Sequence, residues 1–388
     1  MTDARPVYLD NHSTTRVDPR VLEAMLPYFC DEYGNAASVS HSFGKAAAGA
    51  VETAREQVAR LVGCEPRCIV FTSGATEANN LALKGVLGSP GPAGHLIVNA
   101  GEHRAILDPA DRLSRRGVAV TVLPVDQHAR PAVKDIQAAI NPPTRLASVM
   151  WANNEVGTLN PVGEIARVCR KRDVFFHCDA AQVLGKIPIE WDSLEIDLLS
   201  LSAHKLHGPK GVGALVVRRG QRRIPIEPLL DGGGQEHKLR SGTLPVPLIV
   251  GFGVACEIAR TELAAEPPRL AALRDRLWAG LQTTISGIIR NGDPDNGLPN
   301  NLSVSIPGVD GDALLGSLKE VAVSSGSACT SANPTPSHVL QAIGHSDALA
   351  RASLRFGLGR FNTEADIETA ISSIAAVVRK LREMPRPA

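Results

Sequence analysis

Cys329 lies inside the run Ser324-Ser325-Gly326-Ser327-Ala328-Cys329-Thr330-Ser331-Ala332. Small, hydroxylated residues build loops rather than packed elements. Taken alone, the run reads first as a surface cysteine in a Ser-rich linker, and second as a carrier for a nucleophilic thiolate. Other candidates follow apolar runs. Lys205 comes soon after Asp197–Ser202. There a partly desolvated lysine becomes a competent amine nucleophile, although a solvated turn lysine is the plainer reading. His103, after Glu102, can stack on a ring or move protons, or be a satisfied buried histidine. Asp179, within His177–Gln182, needs a cationic partner if it sits deep, or caps a helix. Asn153 and Asn154 make a turn or a polar site. Thr72-Ser73-Gly74-Ala75-Thr76-Glu77 precedes a helical pattern. Free N–H groups and the positive dipole end would attract an anion there, or a hydroxyl would simply cap the helix.

One ligand satisfies these signals together. It needs an anion for the helix start, a cationic ring nitrogen for Asp179, a face for His103 and an aldehyde for Lys205. Pyridoxal phosphate has all four.

The elements that must position these residues form an alternating pattern. Residues 67–72, 95–99, 118–123, 146–151, 174–177 and 196–201 are short apolar runs rich in Val, Ile and Leu, as buried parallel strands are. Phe43–Val62 is a helical pattern that Gly63 is placed to end, and Pro161–Lys171 is another. This predicts a doubly wound α/β fold with a mostly parallel sheet and ligands at the carboxyl ends of its strands. Beyond about residue 260 the pattern changes. Pro267-Pro268 reads as a break, Arg269–Thr284 as an amphipathic helix, and 301–306 and 353–356 as strands of a smaller α+β lobe. The predicted division is a large cofactor domain over 15–260 and a small domain from 1–14 and 261–388.

Composition narrows the class. The chain has 388 residues and a net charge of +1, so bulk charge does not point to nucleic acid or a membrane surface. No apolar run approaches a membrane span, and the first residues lack a signal-peptide core. Seven scattered cysteines give no disulfide framework, which fits the cytoplasm. Cys64 and Cys68 with His95 or His103 match no standard zinc spacing, so no metal is expected.

The chain resembles the cysteine desulfurases of the NifS/IscS class, within the class V aminotransferases. The segments that carry the resemblance are YLDNHSTT from Tyr8, FTSGATEANNLALKG from Phe71, Glu102-His103 and NNEVGT from Asn153. HCDAAQ from His177, SAHKLHGPKGVGAL from Ser202, RSGTLP from Arg240, SSGSACTSA from Ser324 and RFGLGRF from Arg355 complete them. The resemblance implies a fold type I pyridoxal-phosphate transferase. It implies that Lys205 binds the cofactor covalently, that Asp179 faces the ring nitrogen and Gln182 the ring oxygen, and that His103 stacks and acts as acid/base. Ala75, Thr76, Ser202 and His204 would hold the phosphate, with Thr243 reaching it from the second subunit of a homodimer. Arg355 would bind the substrate carboxylate with help from Asn154, which would also contact the cofactor. Cys329 would accept sulfur from L-cysteine, leaving L-alanine, and pass it to an acceptor protein of iron–sulfur assembly or tRNA thiolation. The alternatives are a selenocysteine lyase or another class V enzyme. Two departures stand out: Cys178 where the family more usually has valine, and only Pro385–Ala388 after the last helical pattern, without the extension that helps dock an iron–sulfur scaffold.

Overall fold

A computed structural model describes residues 5–88, 94–220, 222–325 and 335–384; Cys329 lies outside them. The strands are β1 (Val7–Tyr8), β2 (Ile69–Thr72), β3 (His95–Asn99), β4 (Ala119–Leu123), β5 (Thr144–Ser148) and β6 (Phe175–Asp179). They continue with β7 (Leu198–Ser202), β8 (Gly213–Val217), β9 (Ile289–Asn291), β10 (Asn301–Ser305), β11 (Val321–Ala322) and β12 (Ser353–Gly357).

Seven of them form one sheet in the order β2-β8-β7-β6-β5-β3-β4. β4, β3, β5, β6 and β7 run parallel, and β8 runs antiparallel to both β7 and β2. The central strands are buried on both faces because helices cover both. On one face, Ser42–Val62 packs against Val246–Glu262, burying Val51, Ala54 and Val58 at helical spacing. Ser42–Val62 ends at Gly63, whose φ of 80° is the left-handed cap a glycine adopts without strain. The helices Ala75–Gly88 and Arg104–Ser114 cover the other face, with Leu81, Ile106 and Leu113 in its core.

The departures from the predicted elements have local causes. The expected strand at 146–151 begins at Thr144 and leaves the regular ladder after Ser148. Val149 and Trp151 still donate to the carbonyls of His177 and Asp179, at 3.1 and 2.9 Å. β4 lies where predicted but at the sheet edge, so Val122 stays 54% exposed. Pro267-Pro268 starts a helix instead of breaking the chain. It fills the first turn of Glu266–Thr284, where a missing N–H costs no hydrogen bond.

A second body is built on the antiparallel sheet β12-β10-β9, with the helices Glu266–Thr284 and Glu364–Glu383. Leu277, Leu302, Phe356 and Ile374 share its core with Leu9 from the start of the chain. β1 pairs in parallel with β11, so the N-terminal segment is tied to this body. The same segment then continues as His12–Thr14 to the carboxyl ends of β6 and β7.

Candidate active site

A cavity of about 440 Å³ lies at the carboxyl ends of the central strands. Asp179 enters it from the end of β6, and Lys205 from the single 3-10 turn that follows β7. Register sets Asp179 opposite Ser200 and Ser202 opposite Gly213, so β7 runs two residues past the end of β6 before the turn that carries Lys205.

Lys205 Nζ donates to the backbone carbonyls of His12 and Ser13, the second at 2.8 Å. Asp179 is 8% exposed; its Oδ2 accepts from Asn79 Nδ2 at 2.7 Å and its Oδ1 from Ala181 N at 2.9 Å. Behind it on β6, His177 is fully buried and fixed through both ring nitrogens, by Ser148 Oγ at 2.8 Å and Ser200 Oγ at 2.9 Å. Burial pushes the His177 ring down to about 4, so it stays neutral.

His103 caps the helix Arg104–Ser114, with Nδ1 accepting from Ala105 N at 3.0 Å. The neutral ring therefore carries its proton on Nε2. Burial holds its pKa below the ordinary histidine value; Lys205, His338 and Arg355 reinforce this, and Asp179 opposes it.

Glu102 has no exposed surface and accepts from Asn99 Nδ2 and, at 2.8 Å, from Met150 N. Burial, with the nearby Asp179 charge, raises its pKa from 4.5 to about 8 against those hydrogen bonds. A carboxyl raised on folding contributes stability that is complete below the unfolded value near 4.5 and lost as pH rises towards 8. Glu102→Gln, fixed neutral, is expected to remove that loss. Above pH 8 it should be more stable than the wild type by on the order of a few kcal/mol, seen as a higher melting temperature, and the gap should close below pH 5. Parallel melting curves across that range would refute the assignment.

The start of the helix Ala75–Gly88 forms the opposite end of the cavity. Ala75 and Thr76 line it, and Gly74 reaches a φ of 151° that side chains rarely adopt. Gly213 lets this loop close on the sheet: a Cβ there would stand 2.4 Å from Leu201 O and 2.7 Å from Gly74 Cα. Ser202 Oγ is buried without a hydrogen-bond partner among the described residues, and His204 Nδ1 meets Thr14 Oγ1 at 3.1 Å. Glu77 accepts from Ser73 N at 2.7 Å and from Arg240 Nε at 2.9 Å. That pair ties the segment from Arg240 to the helix start. Thr243, in the same segment, is exposed and does not line this chain's cavity.

Arg355, 3% exposed on β12, donates from Nη1 to Asn154 O at 2.8 Å. Its Nη2 reaches Ser13 Oγ at 2.7 Å and Asp10 Oδ1 at 3.1 Å, while Nε is buried without a partner among the described residues. One edge of its fork thus keeps an unspent donor, and Asn154 Oδ1 is likewise unpartnered. Gln182 lines the cavity and is held by His12: Oε1 meets His12 Nδ1 at 2.9 Å and Nε2 donates to His12 O at 3.1 Å.

Residues 7–369 match the family described as aminotransferase class-V. The chain belongs to the class-V aminotransferase family. Among relatives of this family member, the cysteine desulfurase IscS of Anaeromyxobacter dehalogenans is 53% identical over 98% of this chain and 94% of its own. The human cysteine desulfurase is 48% identical over 98% of this chain and 83% of its own. A solved NifS-like protein superposes with a TM-score of 0.90 at 39% identity, over 97% of this chain and 100% of its own. The structure titled "SspA in complex with cysteine" superposes with a TM-score of 0.82 at 38% identity, over 92% and 99%.

Class-V aminotransferases use pyridoxal phosphate, and the cavity of this family member fits that group. It offers an amine at one point, a buried carboxylate at another, and a helix start beside the orphaned Ser202 hydroxyl for an anion. Sequence reasoning missed two contributors. Asn79 is fully buried and holds the Asp179 carboxylate, and His12 holds both Gln182 and, through its carbonyl, Lys205. Both stand inside quoted segments, but their partners are far away in sequence.

Proposed function

We propose that Lys205, Asp179, His103 and Cys329 carry out the desulfuration of L-cysteine. The chain is a cysteine desulfurase with pyridoxal phosphate as its cofactor. The observation that supports these roles best is the meeting of the Lys205 amine, the Asp179 carboxylate and the neutral His103 ring in one cavity at the strand ends. When bound, the cofactor supplies an electron sink for the charge left when the substrate loses its α-proton.

The residues that would hold it divide by chemistry. Lys205 Nζ would take the aldehyde, the Asp179 carboxylate would keep the ring nitrogen protonated, and Gln182 Nε2 would donate to the ring oxygen. His103 would stack on the ring. Ala75, Thr76, Ser202 and His204 would hold the phosphate, and Thr243 of a second copy would complete that grip. Arg355 and Asn154 would orient the substrate carboxylate. Lys205 Nζ, once released, receives the α-proton, and the Nε2 proton of His103 is available for return to carbon. Cys329 as thiolate attacks the substrate sulfur. The S–S bond forms as the Cβ–S bond breaks, its electron pair goes to carbon, and a proton there completes alanine. Cysteine and one enzyme thiol become alanine and one enzyme persulfide, so no outside oxidant or reductant is required.

The chain works as a homodimer in this reading. Thr243 is exposed and does not line its own cavity, and Leu26, Phe29, Tyr33 and Phe43 are between 45 and 66% exposed around the short helices Pro19–Met25 and Pro27–Cys30. Tyr33 and Phe43 pack with ring centroids 5.4 Å apart and planes tilted by 34°, an apolar patch suited to a second copy. The large domain spans 15–260, and 1–14 with 261–388 make the small one. The final acceptor is a protein of iron–sulfur assembly or tRNA thiolation. The cysteines among the described residues are free, which suits the cytoplasm. No helix among the described residues is long and apolar enough to cross a membrane.

With isotopically labelled L-cysteine and no keto acid, the holoenzyme should yield alanine and sulfane sulfur in equal amounts. Mass spectrometry should find one added sulfur on the peptide that contains Cys329. Turnover that requires a keto acid, or sulfur on another cysteine, would overturn the assignment.

A further inference from the structure

Lys186 is a half-buried lysine whose amine the chemistry above leaves unused. Its Nζ reaches Gln182 Oε1 at 3.4 Å, the oxygen that also meets His12 Nδ1 at 2.9 Å. The other end of the same amide donates to His12 O at 3.1 Å, and that carbonyl is one of the two acceptors of Lys205 Nζ. A short polar chain therefore runs from one lysine to the other: Lys186 amine, Gln182 amide, His12 carbonyl, Lys205 amine. Both lysines also line a second, small void, together with Glu266 and Arg360.

The charges around Lys186 favour a repulsive coupling. Lys205 faces it from the turn after β7, and the Glu266 carboxylate, from the helix Glu266–Thr284, opposes the repulsion. Glu266 is itself engaged by Arg360 at 2.9 Å, so it is shared. The rings of His12, His204 and His207 also feel Lys186, and burial keeps all three below the ordinary histidine value. Burial first, then the Lys205 charge, brings Lys186 itself down to about 7. Two amines so linked do not hold protons independently; charge on one eases loss from the other.

We propose that Lys186 is a positioning residue for Lys205: its charge makes the Lys205 amine the better nucleophile, and its hydrogen bond fixes which end of the Gln182 amide faces the cavity. With Lys186 bonded to Oε1, Nε2 is the end left to donate. The inference rests on the reading that Lys205 captures pyridoxal phosphate.

The test is capture of pyridoxal phosphate by cofactor-free protein, followed by the change in cofactor absorbance, with no substrate present. Capture needs the neutral Lys205 amine. Lys186→Met, which removes the charge, should slow capture about tenfold at about pH 6, where Lys186 is mostly charged, equivalent to a rise of about one unit in the Lys205 pKa. The pH midpoint of the bound cofactor's absorbance should move up by a similar amount. Lys186→Arg keeps a charge and a donor at every pH. It should restore capture and move the midpoint below that of the wild type. Wild-type rate and midpoint in Lys186→Met would overturn the proposal. Should that variant not fold by circular dichroism, an unmoved midpoint in Lys186→Arg would overturn it alone. Failure of the underlying reading is distinct: Lys205→Ala would then give the same absorbance change as the wild type.

Discussion

Replacing Lys205 by alanine is expected to reduce alanine formation from cysteine by at least about 10⁴-fold, because one side chain both anchors the cofactor and moves the α-proton. The carbonyls of His12 and Ser13 fix its amine at the cavity wall, so no other side chain can take its place without rebuilding that contact. Lys210, which also lines the cavity, stands at its exposed rim. The rest of the grip is independent of Lys205. Asp179 keeps its bonds from Asn79 and Ala181, and the helix start keeps its free N–H groups. Lys205→Ala should therefore retain pyridoxal phosphate, though in a form that dialysis removes. Absorbance after dialysis and a single-turnover alanine assay check both parts. A small primary amine, free to enter the space the side chain leaves, should restore part of the proton transfer. A variant that keeps a tenth of wild-type turnover would show that another group takes the proton.

Why Lys205, Asp179 and His103 could be read from sequence, and their supports could not, follows from how a parallel sheet is made. Strands covered on both faces are mostly apolar, so a run of polar residues just past such a strand marks its end, and strand ends are where this fold places its site. The supports carry no such mark. Asn79 reaches Asp179 across 100 positions, and His12 reaches Gln182 across 170. Each is an ordinary polar residue until the fold brings its partner to it. β8 was hidden for a related reason. It follows a glycine-rich turn, and the need for Gly213 lies in its approach to Gly74 and Leu201, which is a fact of space and not of pattern. Pro267-Pro268 was legible as punctuation but not as to which side of it the helix lay, since proline serves a first turn as well as a break.

Cys329→Ser should separate the cofactor's part of the reaction from the sulfur's. The residues that hold pyridoxal phosphate and the substrate carboxylate remain, so the variant is expected to fold, keep the cofactor's absorbance and bind L-cysteine with a change in that spectrum. Desulfuration itself should fall by at least about 10²-fold, because a serine hydroxyl is neither ionised at neutral pH nor able to store sulfane sulfur. The other thiol next to the machinery in sequence cannot substitute. Cys178 precedes Asp179 on β6, but it has no exposed surface and belongs to the core on the opposite side of the strand. Burial, with the Asp179 and Glu102 charges, raises its pKa well above the ordinary thiol value, so a thiolate does not form there. Sulfane sulfur should accordingly be lost from the protein altogether in Cys329→Ser and should not reappear on Cys178. Sulfide release at the wild-type rate would mean that the C–S bond breaks by elimination without an enzyme thiol. Activity lost together with the cofactor's absorbance would place Cys329 in cofactor binding instead. Loss of sulfur transfer with an intact spectrum is the outcome expected of a residue that takes sulfur after the cofactor and Lys205 have activated the substrate.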